Sequence, residues 1–458
     1  MAKPPSGVLI AILFLLMVMP AVGVRWVRAW SGTVYIGADG SINPSDSPLS
    51  RSGDLYTLSA NIYSDGDGIV ILRNNMTLIG AGYAIQGSVG AYSRGIYIQG
   101  RTNVTVREMD VSAFEYGLVI EQSSGLVVEE NTFSGNLKDG VSLHEASFNM
   151  LSRNRILNNG NGIELRVSSN NTITMNDIEA NLHYGISLCS SESNRIYHNS
   201  FVANVYLQAS PCANLTNIWH EAYPSCGNYW SDYNGADLHT GFLQNETNSD
   251  GIGDTQYFID ENNTDKYPLM GLWTEAGENV TVTHHTGVSL VFPRVLAAGV
   301  TIVNQSGFGP RISLGFRHAS QPPIYYDIKT FADFSGLIIL AFVYDSHGLT
   351  QLEEERLNLV RWNYTLQEWE NITTHVDAAN HTISGETTNL SIFTLVIPIL
   401  GDINGDGVVD IYDAIMLASA FGSRPGSSNW KFSADINTDG SIDIYDAIIL
   451  AGNYGENP

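Results

Sequence analysis

The chain has 458 residues, with 47 acidic and 22 Lys or Arg side chains, so its formal net charge is −25. A surface with this charge repels nucleic acid and anionic lipid, and neither is expected as a partner. It also repels an acidic polysaccharide unless calcium bridges the two. The length allows roughly two to four domains with ample core.

The first 29 residues have the composition of a secretory signal. Lys3 is followed by an apolar run from Val8 to Val24, and cleavage after Gly23 or Ala29 is equally plausible. An uncleaved N-terminal anchor is the alternative, because the run is close to the shortest length that spans a bilayer. Export agrees with the twelve N-x-S/T sequons at Asn75, Asn103, Asn170, Asn214, Asn245, Asn262, Asn279, Asn304, Asn363, Asn371, Asn380 and Asn389.

A repeat of 22–23 residues decides the predicted fold of residues 30–272. Gly-apolar-x-apolar recurs at Gly95, Gly117, Gly140, Gly162 and Gly185. Each copy holds short alternating strands, and a unit of this size cannot bury its apolar face alone, so the copies must stack. We therefore predict a right-handed parallel β-helix with one coil per repeat. A leucine-rich horseshoe has a similar period, but the helical half of its repeat is missing.

Asparagine recurs in step with the glycines, at Asn131, Asn154, Asn176 and Asn199. Asn tolerates the left-handed backbone region and hydrogen-bonds to copies of itself. We therefore expect these residues at the corners of the coils, stacked into ladders.

The blocks GNYWSDY, DGIGD and KYPLM follow the repeat, between Gly227 and Met270. With them, residues 32–272 resemble the NosD-like, carbohydrate-binding and sugar-hydrolysis β-helices of exported archaeal and bacterial proteins. The resemblance implies polysaccharide binding or processing.

NosD itself serves copper-site assembly, and copper prefers grouped His, Met or Cys ligands. Here such residues are scattered over different faces, so copper handling is a less favoured alternative: His144, His183, His198, Met175 and Cys189. Three cysteines make a poor disulfide framework. Cys212 and Cys226 either pair around a short loop or stay free.

Stacking turns equivalent positions of the repeat into columns. The fifth residue counted from each glycine faces outward and gives Glu121, His144 and Arg166, while the third gives Glu164. Carboxylates as acid and base, His as proton carrier and Arg as orienting cation suit sugar chemistry. Paired Asp residues on adjoining coils, general in polysaccharide-cleaving β-helices, are not evident. The sequence leaves open an enzyme, a hydrolase or lyase, or a solvated polar face.

Residues 273–399 have no repeat. Alternating stretches such as GVSLVF and GLIILAFVYD, separated by Gly, Pro and Asn turns, predict an antiparallel β-sandwich. LEEERLNLVRWN is either a short helix or a strand edge. A spacer or an adhesion module is the expected role.

The chain ends in two near-copies of one acidic segment, residues 401–418 and 434–451. Calcium takes six to eight oxygen ligands, and a twelve-residue loop supplies them at positions 1, 3, 5, 7, 9 and 12, with Gly at position 6. Both segments fit this spacing and predict one calcium each. The ligands are Asp402, Asn404, Asp406, Val408 (by its carbonyl), Asp410 and Asp413, then Asp435, Asn437, Asp439, Ser441 (by its carbonyl), Asp443 and Asp446.

Position 12 is Asp where an EF-hand has Glu, and no helix precedes either loop. Residues 400–458 therefore resemble a type I dockerin, a small all-α module. The resemblance implies two calcium ions and a cohesin partner, which reads positions 10 and 11 of each loop: Ile411, Tyr412, Ile444 and Tyr445. A third calcium near Asn248, Asp250 and Asp254 is a weaker expectation, because acids are sparser there.

The sequence thus predicts an exported surface protein that binds or processes polysaccharide and docks through calcium loops. The alternative is a non-catalytic structural or adhesive protein in which the β-helix is a rigid stalk.

Overall fold

The structure is a computed structural model that describes residues 30–90, 92–212, 215–312, 315–437 and 439–455. The described chain forms two compact units, one ending at Trp273 and one beginning at Thr274. The predicted signal segment lies outside the described residues. Within them, no helix combines the length and apolar character needed to cross a membrane.

The first unit is a parallel β-helix built on three sheets, as predicted, with each coil contributing one short strand to each sheet. The first sheet contains Trp30–Ser31, Ile62–Ser64, Ala84–Gly87, Asp110–Ser112, Thr132–Ser134, Arg155–Leu157, Asp177–Glu179, Ser200–Val202 and Tyr229–Trp230. The second sheet contains Ile42–Asn43, Val34–Ile36, Ile69–Ile71, Arg94–Gln99, Tyr116–Glu121, Asp139–His144, Asn161–Arg166, Tyr184–Cys189 and Leu207–Cys212. The third contains Leu49–Ser52, Leu55–Leu58, Met76–Ile79, Val104–Arg107, Val127–Glu129, Met150–Ser152, Thr172–Thr174 and Arg195–Tyr197.

The core lies inside the coils. In the second sheet Ile98, Ile120 and Leu143 follow one another in register and are fully buried. The repeat glycines sit where neighbouring backbone passes closest: a Cβ on Gly117 would lie 2.5 Å from the carbonyl oxygen of Gly140. This contact explains why the repeat holds glycine at that position.

Buried asparagines form continuous ladders along the axis, as predicted. Asn131 Nδ2 donates to Asn154 Oδ1, and the same 2.9 Å contact continues to Asn176 and Asn199. A second ladder runs through Asn149, Asn171 and Asn194. A further ladder, missed by the sequence reasoning, runs through Asn136, Asn159, Asn181 and Asn204.

The backbone at these corners differs from the expectation. The left-handed residue is the one before the ladder asparagine, with φ of 57° at Glu130 and 53° at Arg153. The prediction that the ladder asparagine itself occupies the left-handed region is therefore wrong here. The preceding residue turns the chain, which leaves the amide free to point inward and stack.

Residues after Leu207 close the end of the solenoid. Trp219 and Trp230 are buried there, and their indole N–H groups donate to Asn263 and Asp265, each over 2.9 Å. Burial raises the pKa of Asp265 to about 7. Two short hairpins complete this end, His239–Thr240 with Glu246–Thr247 and Tyr257–Asp260 with Asn263–Asp265.

The second unit begins with two antiparallel sheets, as predicted. One has the order Gly299–Ser306, Tyr325–Thr330, Ile392–Pro398, Asn358–Asn363 and Glu368–Asn371, with Phe316–His318 beside Ile392–Pro398. The other has the order Gly277–His284, Val288–Ala297, Ile338–Val343, Thr382–Thr387 and Thr373–Asp377, with Asp333–Ser335 beside Val288–Ala297. The strand Leu272–Thr274 spans the boundary of the two units. Phe342 and Phe393, one from each sheet, meet in the core with ring centroids 6.1 Å apart.

The segment LEEERLNLVRWN supplies both predicted alternatives, helix α1 (Gln351–Glu354) and then the strand Asn358–Asn363. The C-terminal part has helices α2 (Ile411–Ala420) and α3 (Ile444–Gly452), with a 3₁₀ turn at Phe432–Ala434.

Candidate functional site

Outward residues of the second sheet lie in rows along the solenoid axis. Glu121 pairs in register with His144, and His144 pairs with Arg166. On the same strands, Ser142 pairs with Glu164. Neighbouring strands lie about 4.8 Å apart. The four candidate catalytic side chains therefore share one face of three adjoining coils.

Glu121 and Glu164 have different hydrogen-bond partners. Glu121 Oε2 accepts a 2.7 Å hydrogen bond from the Tyr97 hydroxyl. Burial, together with this carboxylate, raises the pKa of Tyr97 to about 12. Arg166 donates to Glu164 Oε1 over 3.1 Å, and His144 Nε2 lies 3.9 Å from a carboxylate oxygen of Glu145. Of the two candidate carboxylates, Glu164 is the one with a cation beside it.

The structure adds a carboxylate that the sequence reasoning missed. Asp139, on the strand next to Glu164, is only 2% exposed, and its Oδ1 accepts a 2.9 Å hydrogen bond from Asn161 Nδ2. Burial, and then the neighbouring charge of Glu164, raise the pKa of Asp139 to about 7. Asp139 therefore keeps its proton in weakly acidic solution, because a charged form would be both buried and close to the Glu164 side chain.

The sequence carried a signal for Asp139. It precedes Gly140 in a column that reads Arg94, Tyr116, Asp139, Asn161 and Tyr184. Columns counted after each glycine omit this position. The contact with Glu164 is diagonal between two coils, so it depends on the strand register.

Tyrosines border the acidic pair along the axis. Lys138 Nζ lies 3.0 Å from the Tyr116 hydroxyl and 2.6 Å from Glu115 Oε1. On the other side, the rings of Tyr184 and Tyr206 meet edge to face with centroids 5.6 Å apart. A polar face bordered by aromatic side chains offers both hydrogen bonds and apolar contact to sugar rings.

The C-terminal acidic loops close around their first and last aspartates. Asp402 accepts hydrogen bonds from the N–H groups of Gly405 and Gly407, each 2.8 Å, and Asp413 accepts from that of Ile403 over 2.8 Å. In the second loop Asp435 and Asp446 make the equivalent contacts. The other predicted ligands lie on the same turns, at Asn404, Asp406, Val408 and Asp410 and at Asn437, Asp439, Ser441 and Asp443.

The donor chemistry of these loops fits calcium. Asp435 Oδ1 is buried and has no hydrogen-bond partner among the described residues, and a cation would satisfy it. Partial burial raises the pKa of Asp402, and the nearby Asp413 carboxylate raises it further, against the effect of the N–H donors. Across the described ranges, no three His, Cys, Asp or Glu side chains form a cluster able to hold a metal ion. Each loop offers further oxygens from one Asn and one backbone carbonyl.

The predicted partner-binding residues stand at the starts of the two helices. Ile411, Tyr412, Ile444 and Tyr445 are all more than half exposed. An apolar groove continues this surface between α2 and α3, lined by Leu417, Phe421, Leu450 and Tyr454 among others.

At the weaker calcium candidate, protein groups already donate to the carboxylates. Asp250 Oδ2 accepts from the Thr240 hydroxyl, and Asp254 Oδ2 lies 2.8 Å from His239 Nδ1. Asn248 contributes its backbone N–H to the Leu238 carbonyl. Both carboxylates therefore already have hydrogen-bond partners within the protein.

Cys226 is a buried free thiol, and burial raises its pKa. Cys212 lies opposite Cys189 in the strand register, and its predicted pairing with Cys226 falls on a side chain outside the described ones.

Comparison with known families confirms both predicted resemblances. Residues 42–235 match the family model described as periplasmic copper-binding protein (NosD), and residues 400–453 match the dockerin type I domain. Dockerin domains bind calcium. No curated protein matches the chain.

Several solved structures resemble the chain at low identity. A mutant of the periplasmic alginate epimerase AlgG is 15% identical over 40% of this chain and 72% of its own, with a TM-score of 0.23. The enzymatically active domain of bacteriophage CBA120 tailspike protein 2 is 11% identical over 80% and 67%, with a TM-score of 0.28. The Azotobacter vinelandii mannuronan C-5 epimerase AlgE4 A-module is 15% identical over 44% and 83%, with a TM-score of 0.17. Scores this low carry no inference about chemistry.

Proposed function

We propose that this chain is an exported surface protein that binds and processes polysaccharide on the second sheet of its β-helix. The acidic pair formed by Asp139 and Glu164 carries this proposal. It lies on the face bordered by Tyr116 and Tyr184, with Arg166 beside it. A structural stalk has no need of a buried Asp139 carboxyl next to a second acidic side chain.

The pair has the composition that glycoside hydrolysis requires. One carboxyl group donates a proton to the leaving oxygen, while a carboxylate activates water or attacks the sugar. We assign the substrate contact to Glu164, which is more exposed than Asp139, and the orienting role to Arg166. The glycosidic C–O bond breaks, the leaving oxygen takes the proton, and water supplies the new hydroxyl and restores the proton to the pair.

A reducing-end assay on the full chain with a panel of polysaccharides tests this step. Glu164→Gln removes the ionisable group and should abolish release of new ends while sugar binding persists. Glu192→Gln is the matched control, because this exposed glutamate lies outside the second sheet. If the wild type bound sugar without releasing new reducing ends, the second-sheet face would be a lectin-like binding surface and not a catalytic site.

We propose that the C-terminal module holds two calcium ions and docks to a cohesin-like partner through Ile411, Tyr412, Ile444 and Tyr445. The module match and the exposed apolar residues support this. Calorimetric titration should give two calcium ions per chain, and one in Asp446→Asn, which loses the last ligand of the second loop. If the titration gave a third tight calcium ion that was lost in Asp250→Asn, the third calcium site would lie at Asp250.

The alternative is a non-catalytic structural or adhesive protein. The continuous buried asparagine ladders, which stiffen the coils, favour this reading. Absence of both sugar binding and end release from the wild type would select it. A NosD-type copper role requires copper to bind outside the calcium loops, which copper titration of the full chain tests.

A further inference from the structure

A second polar and aromatic constellation lies on the solenoid unit, away from the second sheet. A depression of about 380 Å³ is lined by Arg195, Ile218, His220, Glu221, Phe242 and Lys266, with Tyr267 at its base. Its size is within the range of small-ligand sites, about 300–1,000 Å³. Four separate segments of the chain converge here.

The base of this pocket is aromatic. Tyr267 is buried, and the His220 ring meets it edge to face with centroids 5.3 Å apart. Phe242 lies 6.3 Å from Tyr267 by ring centroids and is 64% exposed. The Tyr267 hydroxyl donates to the Phe242 carbonyl over 3.2 Å, which ties the two segments together. The exposed phenyl ring can therefore receive the apolar face of a flat ligand.

The charged side chains at the rim are of two kinds, one ion pair and one lysine without an ionic partner among the residues described. Arg195 forms an ion pair with Glu221, so these planar groups present hydrogen-bonding edges with no net charge. Lys266 is exposed and makes no hydrogen bond or ion pair within the described part of the unit. Every other described Lys or Arg of that unit has a polar partner. Its ammonium is therefore available to pair with an acidic ligand.

We propose that this pocket binds a hexuronate unit of an acidic polysaccharide. The sugar carboxylate pairs with the Lys266 ammonium, the ring hydroxyls bond to Arg195 and Glu221, and the apolar ring face stacks on Phe242. The cation offsets locally the repulsion that the net charge of −25 exerts on acidic glycans. The inference extends the proposed function by naming a glycan class, but it concerns a different site from the acidic pair.

Calorimetric titration of the full chain with trigalacturonate tests the assignment, with maltotriose as the neutral counterpart. Calcium is buffered throughout, because uronates also bind calcium. We expect wild-type protein to bind trigalacturonate and not maltotriose. Lys266→Gln should weaken trigalacturonate binding about tenfold or more, as loss of a charge-assisted hydrogen bond predicts. Phe242→Ala should also weaken it, and high salt should weaken wild-type binding.

Matched variants separate this site from the rest of the molecule. Lys329→Gln makes the same charge change at an exposed position of the strand Tyr325–Thr330 in the second unit and should leave affinity unchanged. Lys266→Gln is also assayed for release of new ends, which it should retain, so failure of the uronate site and failure of the proposed hydrolysis are distinguishable. Equal affinity of wild type and Lys266→Gln, absence of trigalacturonate binding, or tighter binding of maltotriose or inorganic sulfate would each overturn the proposal.

Discussion

Asn154 is the residue whose replacement tests the ladder most directly. Its side chain is 1% exposed and makes four hydrogen bonds. Its amide donates to the Val128 carbonyl over 2.8 Å and to Asn176 Oδ1 over 2.9 Å. Its oxygen accepts from the backbone N–H and the side-chain amide of Asn131, at 3.1 and 2.9 Å. Asn154→Ala removes all four.

The expected destabilisation follows from these bonds. Each is worth about 1 kcal/mol net, and a buried N–H left without an acceptor costs about 1–3 kcal/mol. The Asn131 backbone N–H loses its side-chain acceptor. We therefore expect Asn154→Ala to lower the free energy of unfolding by roughly 4 kcal/mol. For a unit of this size, 1 kcal/mol shifts the midpoint by about 2–4 °C, so the solenoid transition should fall by roughly 8–16 °C.

Scanning calorimetry of the full chain measures that transition. Asn154→Asp is nearly isosteric but places an acceptor against the Val128 carbonyl, so it should lose at least as much stability as the alanine variant. Asn262→Ala, at an exposed position of the same unit, is the control and should shift the midpoint by about 1–2 °C or less. If Asn154→Ala shifted it no more than this control, the ladder would not be a main source of solenoid stability.

Three further predictions concern the acidic groups. Because the folded pKa of Asp139 is raised to about 7, its favourable contribution is full below pH 4 and is lost as pH rises through 7. Asp139→Asn should therefore match the wild-type thermal midpoint at pH 4 and exceed it by several degrees at pH 8.5; equal midpoints at both pH values would contradict the raised pKa of Asp139. Chelation should abolish hydrogen-exchange protection in α2 and α3 while the solenoid stays protected, because calcium binding supplies much of a small module's stability; unchanged protection of both helices would refute this. Arg356→Gln should tighten calcium binding at the second loop about two- to fivefold, because this half-buried cation donates to the Ile436 carbonyl and faces Asp435 and Asp446; titration with unchanged affinity would show that its charge does not reach the loop.

Periodicity made the β-helix and its outward columns predictable. A fixed period of 22–23 residues leaves stacking as the way to bury the apolar positions, and stacking puts Glu121, His144 and Arg166 in one row. The calcium loops were readable for a similar reason, because each predicted set of ligands lies within twelve consecutive residues. Local spacing carries both kinds of information.

Contacts outside the period were decided by the tertiary structure. Asp139 meets Glu164 diagonally across two coils, and the left-handed corner falls on Glu130 while Asn131 turns inward. Asp139 lies outside the columns that the sequence predicted, and the register of the strands places it against another carboxylate.

The proposed uronate pocket shows most clearly which contacts the sequence alone does not predict. Arg195 lies on a repeat strand, whereas Phe242 and Lys266 lie beyond the repeat, and the end of the solenoid brings the three together. The sequence by itself therefore determined the coil, its outward columns and the calcium loops, because neighbouring residues encode them. Only the tertiary structure decided which distant side chains meet, because such meetings depend on how the last coils close over Trp219 and Trp230.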